Sequence, residues 1–361
     1  MILRLVKSVT DEQIRFLEDR IVSLGLRADV SRGIERTLIG LVGDTSPIDP
    51  GLFTELEWVE EVIRVSRPYK RVSREQRPEG LTIRVGSITF GGPEVVIMAG
   101  PCSVEDRPSL LSLARRIQKA GAHALRGGAY KPRKSPYSFQ GLGREGLLFL
   151  AEASRETGLP IISEATGLHH HRTPAGALEE ATPVDAVIEM ADILQVGMRN
   201  MKSYGLLEEI ARRTGPLKMP VLLKRGESAT LEEFLLAAEY LALHGNPLTL
   251  LCVRGIRTFE NQQYQRYTSD IAAIPILKRE SHLPVIFDPS HATGDHSLIS
   301  PLSLAAVAAG ADGLLIETHE SPRQAISDGR QSITPDELTD LIVEVRRLSG
   351  VRTGRDQIPA L

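Results

Sequence analysis

The chain has 361 residues, of which 42% are hydrophobic and 25% charged, the make-up of a soluble globular protein with room for one large domain and one small one. Its net charge of -3 excludes a general attraction to nucleic acid or to a membrane surface, and its apolar runs have strand length, too short to span a bilayer. The two cysteines, Cys102 and Cys252, make no disulfide framework, and Met1-Ile2-Leu3-Arg4-Leu5 lacks the apolar core of a signal peptide, so a cytoplasmic protein is expected.

Residues 1–66 read as a unit of their own. Ile2–Val6 is a strand, and Thr10 can cap a helix over Asp11–Leu24 with Ile14, Leu17, Ile21 and Leu24 on one face. Leu26–Val30 and Arg36–Leu41 pair around Ser31-Arg32-Gly33, a short helix follows Pro50, and Val59–Val65 is a last strand. The order βαββαβ predicts a ferredoxin-like sandwich. It holds no cluster of candidate catalytic residues, which points to regulation or oligomerisation, or to a unit that only adds buried area. Residues 67–80 are charged, carry Pro68, Pro78 and Gly80, and read as a linker. Leu81–Phe90 alternates around Gly86-Ser87, the pattern of a hairpin placed to plug the bottom of a barrel.

From Val95 strand and helix patterns alternate. The strand candidates are Val95–Met98, Ala122–Arg126, Pro160–Ser163, Ile193–Val196, Val221–Lys224, Thr249–Val253, Val285–Phe287 and Gly313–Ile316. Helical patterns include Ser109–Ala120, Gly146–Thr157, Leu231–His244 and Leu302–Ala309, with a last helix over Asp336–Ser349. This alternation predicts a (β/α)8 TIM barrel over residues 81–350, followed by a tail at 351–361.

A TIM barrel carries its chemistry at the carboxyl ends of its strands. Cys102 follows the first strand, after the turn Gly100-Pro101, and taken alone it reads equally well as a small core filler. Arg126, Lys131 and Arg133 follow the second strand, Glu164 the third, Arg199 the fourth, Lys224 the fifth and Arg254 the sixth. So many cations at one mouth of a nearly neutral protein imply an anionic ligand, with more than one phosphate or carboxylate group. Asp288 and His291 follow the seventh strand and Glu317 the eighth. Strands one, seven and eight become neighbours when the barrel closes, and Asp328, in the loop after strand eight, can reach the same point. A set of Cys102, His291, Glu317 and Asp328 suits one divalent first-row ion. The ligand types do not choose among Mn²⁺, Fe²⁺, Co²⁺ and Zn²⁺; Mn²⁺ is taken first.

The runs Ala99-Gly100-Pro101-Cys102-Ser103, Arg126-Gly127-Gly128-Ala129-Tyr130-Lys131-Pro132-Arg133, Ser135 to Gly143, Asp288-Pro289-Ser290-His291-Ala292 and Ile316-Glu317 resemble the 3-deoxy-D-arabino-heptulosonate 7-phosphate (DAHP) synthases of class I. The closest subtype carries an N-terminal ferredoxin-like domain. Metal-dependent 3-deoxy-D-manno-octulosonate 8-phosphate synthases share the class. The resemblance implies a transferase of the shikimate pathway that joins phosphoenolpyruvate, erythrose 4-phosphate and water. It assigns the metal to Cys102, His291, Glu317 and Asp328, and phosphoenolpyruvate to Arg126, Lys131, Arg199, Lys224 and Arg254. Arg133 and Ser135 would hold the aldose phosphate. Lys131 is a candidate proton donor to the aldehyde oxygen, Glu164 a candidate to orient water, and Asp288 a candidate to orient Lys224 or accept from a water on the metal. His319 and Glu320 are candidates to support Glu317. A homotetramer and an aromatic amino acid as effector are further implications, with a related sugar-acid synthase or a silent ligand-sensing homologue as alternatives. Lys-Pro-Arg at 131–133 favours the four-carbon aldose over the five-carbon one.

Two features depart from the family pattern. Lys134 stands where Thr is usual, and the chain between Glu164 and Ala191-Asp192 is about a dozen residues longer than expected. The extra stretch includes His169-His170-His171 and the acidic Glu179-Glu180, and is read as a polar loop over the barrel mouth.

Overall fold

The computed structural model describes residues 1–33, 36–45, 47–64, 68–132, 135, 137–167, 176–259 and 264–355. Arg133, Lys134 and the histidines of the long stretch lie outside them. The chain divides into two compact units, Met1–Lys70 and Arg71–Leu361.

The first unit orders its elements as β1 (Ile2–Leu5), α1 (Asp11–Ser23), β2 (Arg27–Arg32), β3 (Thr37–Val42), α2 (Gly51–Thr54) and β4 (Val59–Ile63). The antiparallel sheet runs β2-β3-β1-β4, the ferredoxin-like order. Helix α1 starts where Thr10 and Gln13 each satisfy the other's backbone N–H, a reciprocal cap. Its Ile14, Leu17 and Ile21 bury against Leu3, Leu5, Ile39 and Phe53.

In the second unit, residues 71–80 are fastened to the barrel. Glu239 accepts from the backbone N–H groups of Arg71 and Val72, Ser281 Oγ donates to Val72 O, and His282 Nδ1 lies 3.0 Å from Ser73 O. A hairpin of β5 (Ile83–Val85) and β6 (Ile88–Phe90) follows. Leu81 N–H donates to His282 O, just ahead of the seventh barrel strand, which sets the hairpin at the amino-terminal end of the barrel.

The barrel strands are β7 (Val96–Gly100), β8 (Ala124–Arg126), β9 (Ile161–Ala165), β10 (Ile193–Val196), β11 (Val221–Lys224), β12 (Thr249–Val253), β15 (Val285–Phe287) and β16 (Gly313–Glu317). All are parallel, and β16 pairs with β7 to close the ring. Being covered on both faces, they read as near-continuous apolar runs rather than alternating ones. The helices are α3 (Arg107–Ala120), α4 (Arg144–Thr157), α5 (Pro183–Met190), α6 (Tyr204–Thr214), α7 (Leu231–Leu243), α8 (Ala273–Glu280), α9 (Pro289–Thr293), α10 (Ile299–Ala308) and α11 (Pro335–Arg355). Helix α3 begins where Asp106 accepts from Ser109 N–H and ends at Gly121, whose φ of 91° an L side chain resists. Helix α10 starts earlier than the expected Leu302: Pro301 sits in its first turn, where a backbone N–H has no helical partner to lose. A small hairpin, β13 (Gly255–Ile256) with β14 (Thr268–Ser269), leaves the sixth strand and was not foreseen.

Among the described residues, no helix is long and apolar enough to cross a membrane.

Candidate active site

The closing seam brings the first and eighth strands together with Glu317 paired opposite Gly100. Gly100 has φ 152°, and a Cβ there would overlap the carbonyl oxygen of Arg126, so the chain can leave β7 toward Cys102 only through glycine. Cys102 Sγ lies 3.2 Å from Asp328 Oδ2, and His291 Nε2 lies 3.3 Å from Glu317 Oε1. One ligand atom from each of these four residues falls within 4.8 Å of every other. Asp328 holds φ 52°, a left-handed conformation that is unusual outside glycine and that turns its loop back toward Cys102.

His291 is oriented from behind. Asp288 is fully buried, and its Oδ2 lies 2.9 Å from His291 Nδ1 and 2.5 Å from Lys224 Nζ. Burial opposes its ionisation, but His291 and Lys224 hold its carboxyl well below the ordinary carboxylate range. With Nδ1 bearing the proton, Nε2 presents a lone pair toward Glu317 Oε1. Burial lowers the His291 pKa, which keeps the ring neutral. Glu317 is buried as well, yet its pKa is held down, with the Arg126 guanidinium donating to Oε1, and it stays ionised. Two acceptors facing each other at 3.3 Å are unfavourable unless a cation lies between them. The donor chemistry therefore fits a divalent first-row ion.

Burial, followed by Glu317, pushes the Cys102 thiol up to about 12, while Lys131 opposes them. For Asp328, burial is outweighed by the charge around it, Arg266 included, and the carboxyl falls to about 2. Lys131 Nζ sits 2.8 Å from Cys102 O and 3.1 Å from Cys102 Sγ. It is placed to favour the thiolate once an ion replaces the thiol proton.

Above the four ligands opens a cavity of about 330 Å³. Lys131, Ser135, Glu164, Arg199, Lys224 and Arg254 line it together with His291 and Asp328, so all eight strand ends contribute to the one site once Cys102 and Glu317 are counted. Arg254 is buried against the ring of Tyr267, 4.7 Å from its centroid, and donates to His291 O at 2.8 Å. Its Nε is buried without a hydrogen-bond partner, which an anion in the cavity could supply. Glu164 Oε2 accepts from Gln195 Nε2 at 3.0 Å, and a Cβ at Gly197 would overlap Glu164 Oε1, so glycine is what admits this carboxylate to the wall.

Some expected residues are placed differently. Arg126 is buried and engaged, donating to Glu317 Oε1 at 3.0 Å and to Pro101 O at 2.8 Å, and stands beside the four-residue cluster rather than in the cavity lining. His319 faces Glu105 and Glu320 accepts from Ser112 Oγ, so both sit apart from the four-ligand cluster. Cys252 is buried in β12, as its apolar neighbours imply.

The sequence reading passed over Arg266, Tyr267 and Gln331. Arg266 and Tyr267 line the cavity because β13 and β14 fold the loop after the sixth strand back onto α9, where Tyr267 N–H donates to Ala292 O. The signal was the adjacent basic and aromatic residues Arg266-Tyr267 in the loop after Arg254, at a distance no strand-end rule covers.

Comparison with known proteins agrees with this geometry. Residues 72–349 match the model of the DAHP synthetase I family, and residues 1–67 match that of the DAHP synthase ferredoxin-like domain. The chain is 45% identical over 349 residues to a phospho-2-dehydro-3-deoxyheptonate aldolase of Thermotoga maritima, covering 97% of this chain and 98% of that one. It is 29% identical over 295 residues to a 2-dehydro-3-deoxyphosphooctonate aldolase of Syntrophotalea carbinolica, covering 76% of this chain and 99% of that one. A crystal structure of the Thermotoga maritima phospho-2-dehydro-3-deoxyheptonate aldolase (DAHP synthase) superposes with a TM-score of 0.87 at 44% identity, covering 97% of each chain. By its barrel, its N-terminal unit and these matches, the chain belongs to the DAHP synthetase I family.

Proposed function

We propose that this protein condenses phosphoenolpyruvate with D-erythrose 4-phosphate and water, releasing 3-deoxy-D-arabino-heptulosonate 7-phosphate and inorganic phosphate. The observation that carries the reading is the lone-pair face of His291 set against Glu317, beside Cys102 and Asp328, at the floor of a cation-lined cavity. Cys102, His291, Glu317 and Asp328 would hold one divalent ion, Mn²⁺ first. Such an ion supplies Lewis-acid stabilisation to an aldehyde oxygen that gains negative charge.

The chain's own residues account for the rest. Lys224 and Arg254, joined by Arg199, offset the repulsion between two phosphorylated substrates and fix them face to face. Carbon 3 of phosphoenolpyruvate forms a bond to the aldehyde carbon, and the aldehyde oxygen takes a proton. Lys131 is the donor this reading assigns. Water adds at carbon 2, losing its proton, and the carbon–oxygen bond to phosphate breaks. Glu164 is assigned to orient that water. Ser135 and Arg133 are assigned to the aldose phosphate, the latter on resemblance alone. Arg126, which the resemblance gave to phosphoenolpyruvate, is assigned here to Glu317, on the strength of its hydrogen bond. Resemblance alone also supports a cytoplasmic homotetramer with tyrosine or phenylalanine acting through residues 1–66.

The test is phosphate release from phosphoenolpyruvate with Mn²⁺, comparing erythrose 4-phosphate with arabinose 5-phosphate and adding a chelator. Chelator-sensitive release with the four-carbon sugar alone is expected. Release with only the five-carbon sugar would move the protein to the octulosonate branch, represented among the 29% identical relatives. With Mn²⁺ supplied to saturation, Lys131→Met should lose turnover by about 10²–10⁴-fold. Near-normal turnover would remove the lysine from the proton transfer.

A further inference from the structure

The two carboxylates of the cluster each have one oxygen turned inward and one turned away. Glu317 Oε1 faces His291 Nε2, and Asp328 Oδ2 faces Cys102 Sγ. The outer oxygens meet two residues that none of the motifs contains. Gln331 Nε2 donates to Glu317 Oε2 at 2.6 Å, and Arg266 Nη1 lies 3.5 Å from Asp328 Oδ1. The two are bonded to each other as well, with Arg266 Nη1 donating to Gln331 Oε1 at 3.0 Å.

We propose that Gln331 and Arg266 are positioning residues that act as one clamp on the outer oxygens of Glu317 and Asp328, leaving the inner oxygens to ligate the ion. The inference rests on the reading of Cys102, His291, Glu317 and Asp328 as metal ligands. The chemistry of the three groups fixes their orientation. A guanidinium only donates, so the amide must turn its oxygen to Arg266. Its nitrogen then faces Glu317, and an ionised carboxylate only accepts. No other arrangement of the amide satisfies both neighbours, so Gln331 is a directional link rather than a filler.

The backbone supports the same role. Gln331 ends the tight turn that begins at Asp328, and its N–H donates to Asp328 O at 3.1 Å. A Cβ at Gly329 would overlap Pro322 O, so that turn has no slack. Gln331 is 2% exposed and stands outside the cavity lining, whereas Arg266 lines the cavity. An effect of Gln331 on the site must therefore pass through Glu317 and Arg266. A carboxylate freed of its outer partner can rotate, and a partner that prevents this raises metal affinity without touching the ion.

The experiment is calorimetric titration of Mn²⁺ into the metal-free full chain, for wild type, Gln331→Met, Arg266→Met and the double variant. Co²⁺ titrations are followed in parallel by the thiolate absorption band. Each single substitution should weaken Mn²⁺ by about 10- to 100-fold while the Co²⁺ band persists with altered shape. The double variant should lose clearly less than the product of the singles, because the pair acts as a unit. Singles that bind within about threefold of wild type, or losses that simply multiply, would overturn the clamp. A wild type that binds neither ion would overturn the reading of the ligand set, and the clamp with it. Should Gln331→Met fail to fold, Arg266→Lys carries the test. It keeps the charge but not the fork, and should still weaken Mn²⁺ by about tenfold; unchanged affinity there would overturn the proposal.

Discussion

At the scale of single residues, the site is governed by which proton each ligand holds. Asp288 stands against His291 Nδ1, which leaves Nε2 to face Glu317, while Asp328 is already ionised at any ordinary pH, its carboxyl being held down at about 2. Cys102 is the exception: burial, followed by Glu317, raises its thiol to about 12, so an arriving ion must expel a proton there. The protonated thiol is favoured as pH falls, so affinity must fall with it. Mn²⁺ affinity measured by calorimetry at pH 6, 7 and 8 should rise about tenfold per pH unit, with about one proton released per ion. A pH-independent affinity would mean that the sulfur does not ligate. The cluster of Cys102, His291, Glu317 and Asp328 was legible in the sequence because Cys102, His291 and Glu317 stand at or just after the ends of strands that neighbour one another in the closed ring, with Asp328 in the loop beyond the last of them. Gln331 and Arg266 were not, because hydrogen bonds between side chains leave no periodicity to read.

At the scale of elements, the described part of the long stretch after β9 makes contacts of its own. Glu179, within it, accepts from the hydroxyl of Tyr130 and from Arg144 N–H, both at 2.8 Å. Tyr130 directly precedes Lys131, and Arg144 is the first residue of α4, whose preceding Gly143 offers no side chain to cap the helix. The carboxylate thus takes the place of a cap from a distant part of the chain and complements the helix dipole. Glu179→Ala should lower stability by about 1–3 kcal/mol, read as a shift in thermal unfolding. An unshifted transition would show the contact to be incidental. The sequence marked this stretch as unusual from its length and its acidic pair. It could not tell which carboxylate reaches the helix, because the separation of 35 residues between Glu179 and Arg144 encodes no contact. Helix α5 escaped notice for a related reason: its eight residues are too few for a clear period, and only the reciprocal cap between Thr182 and Asp185 announces it.

At the scale of the whole barrel unit, the alternation of strand and helix was enough to give the closed ring, since parallel strands covered on both faces need no register clue beyond their apolar runs. The segment 71–80 was harder, because charge, Pro and Gly mark a linker and a fastened strap alike. What fastens it is partly His282, which burial keeps neutral with its pKa below the ordinary 6.5. Its Nδ1–H then donates to Ser73 O. Between the folded and unfolded pKa values the unfolded chain binds the extra proton, so stability rises with pH in that window. The contribution is complete above pH 6.5 and is lost as pH falls below it. Urea unfolding at pH 7.5 and pH 5.5 should show this loss in the wild type, and His282→Gln should flatten that part of the dependence. An equal slope in the variant would place the titrating group elsewhere.

The seam between β7 and β16 also bears on how the chain is made. Cys102 and Asp328 stand 226 residues apart, and the strands that carry the ligands join only when the last strand arrives. A nascent chain that ends before β16 has nowhere to assemble the four groups. Any ion they hold would be captured only by a finished barrel, and in being captured would bolt the first strand to the last across the longest span in the ring. A copy truncated late in synthesis would stay blind to the ion however well its earlier strands had formed. Ion capture would thus sort completed copies from unfinished ones without help from any outside factor.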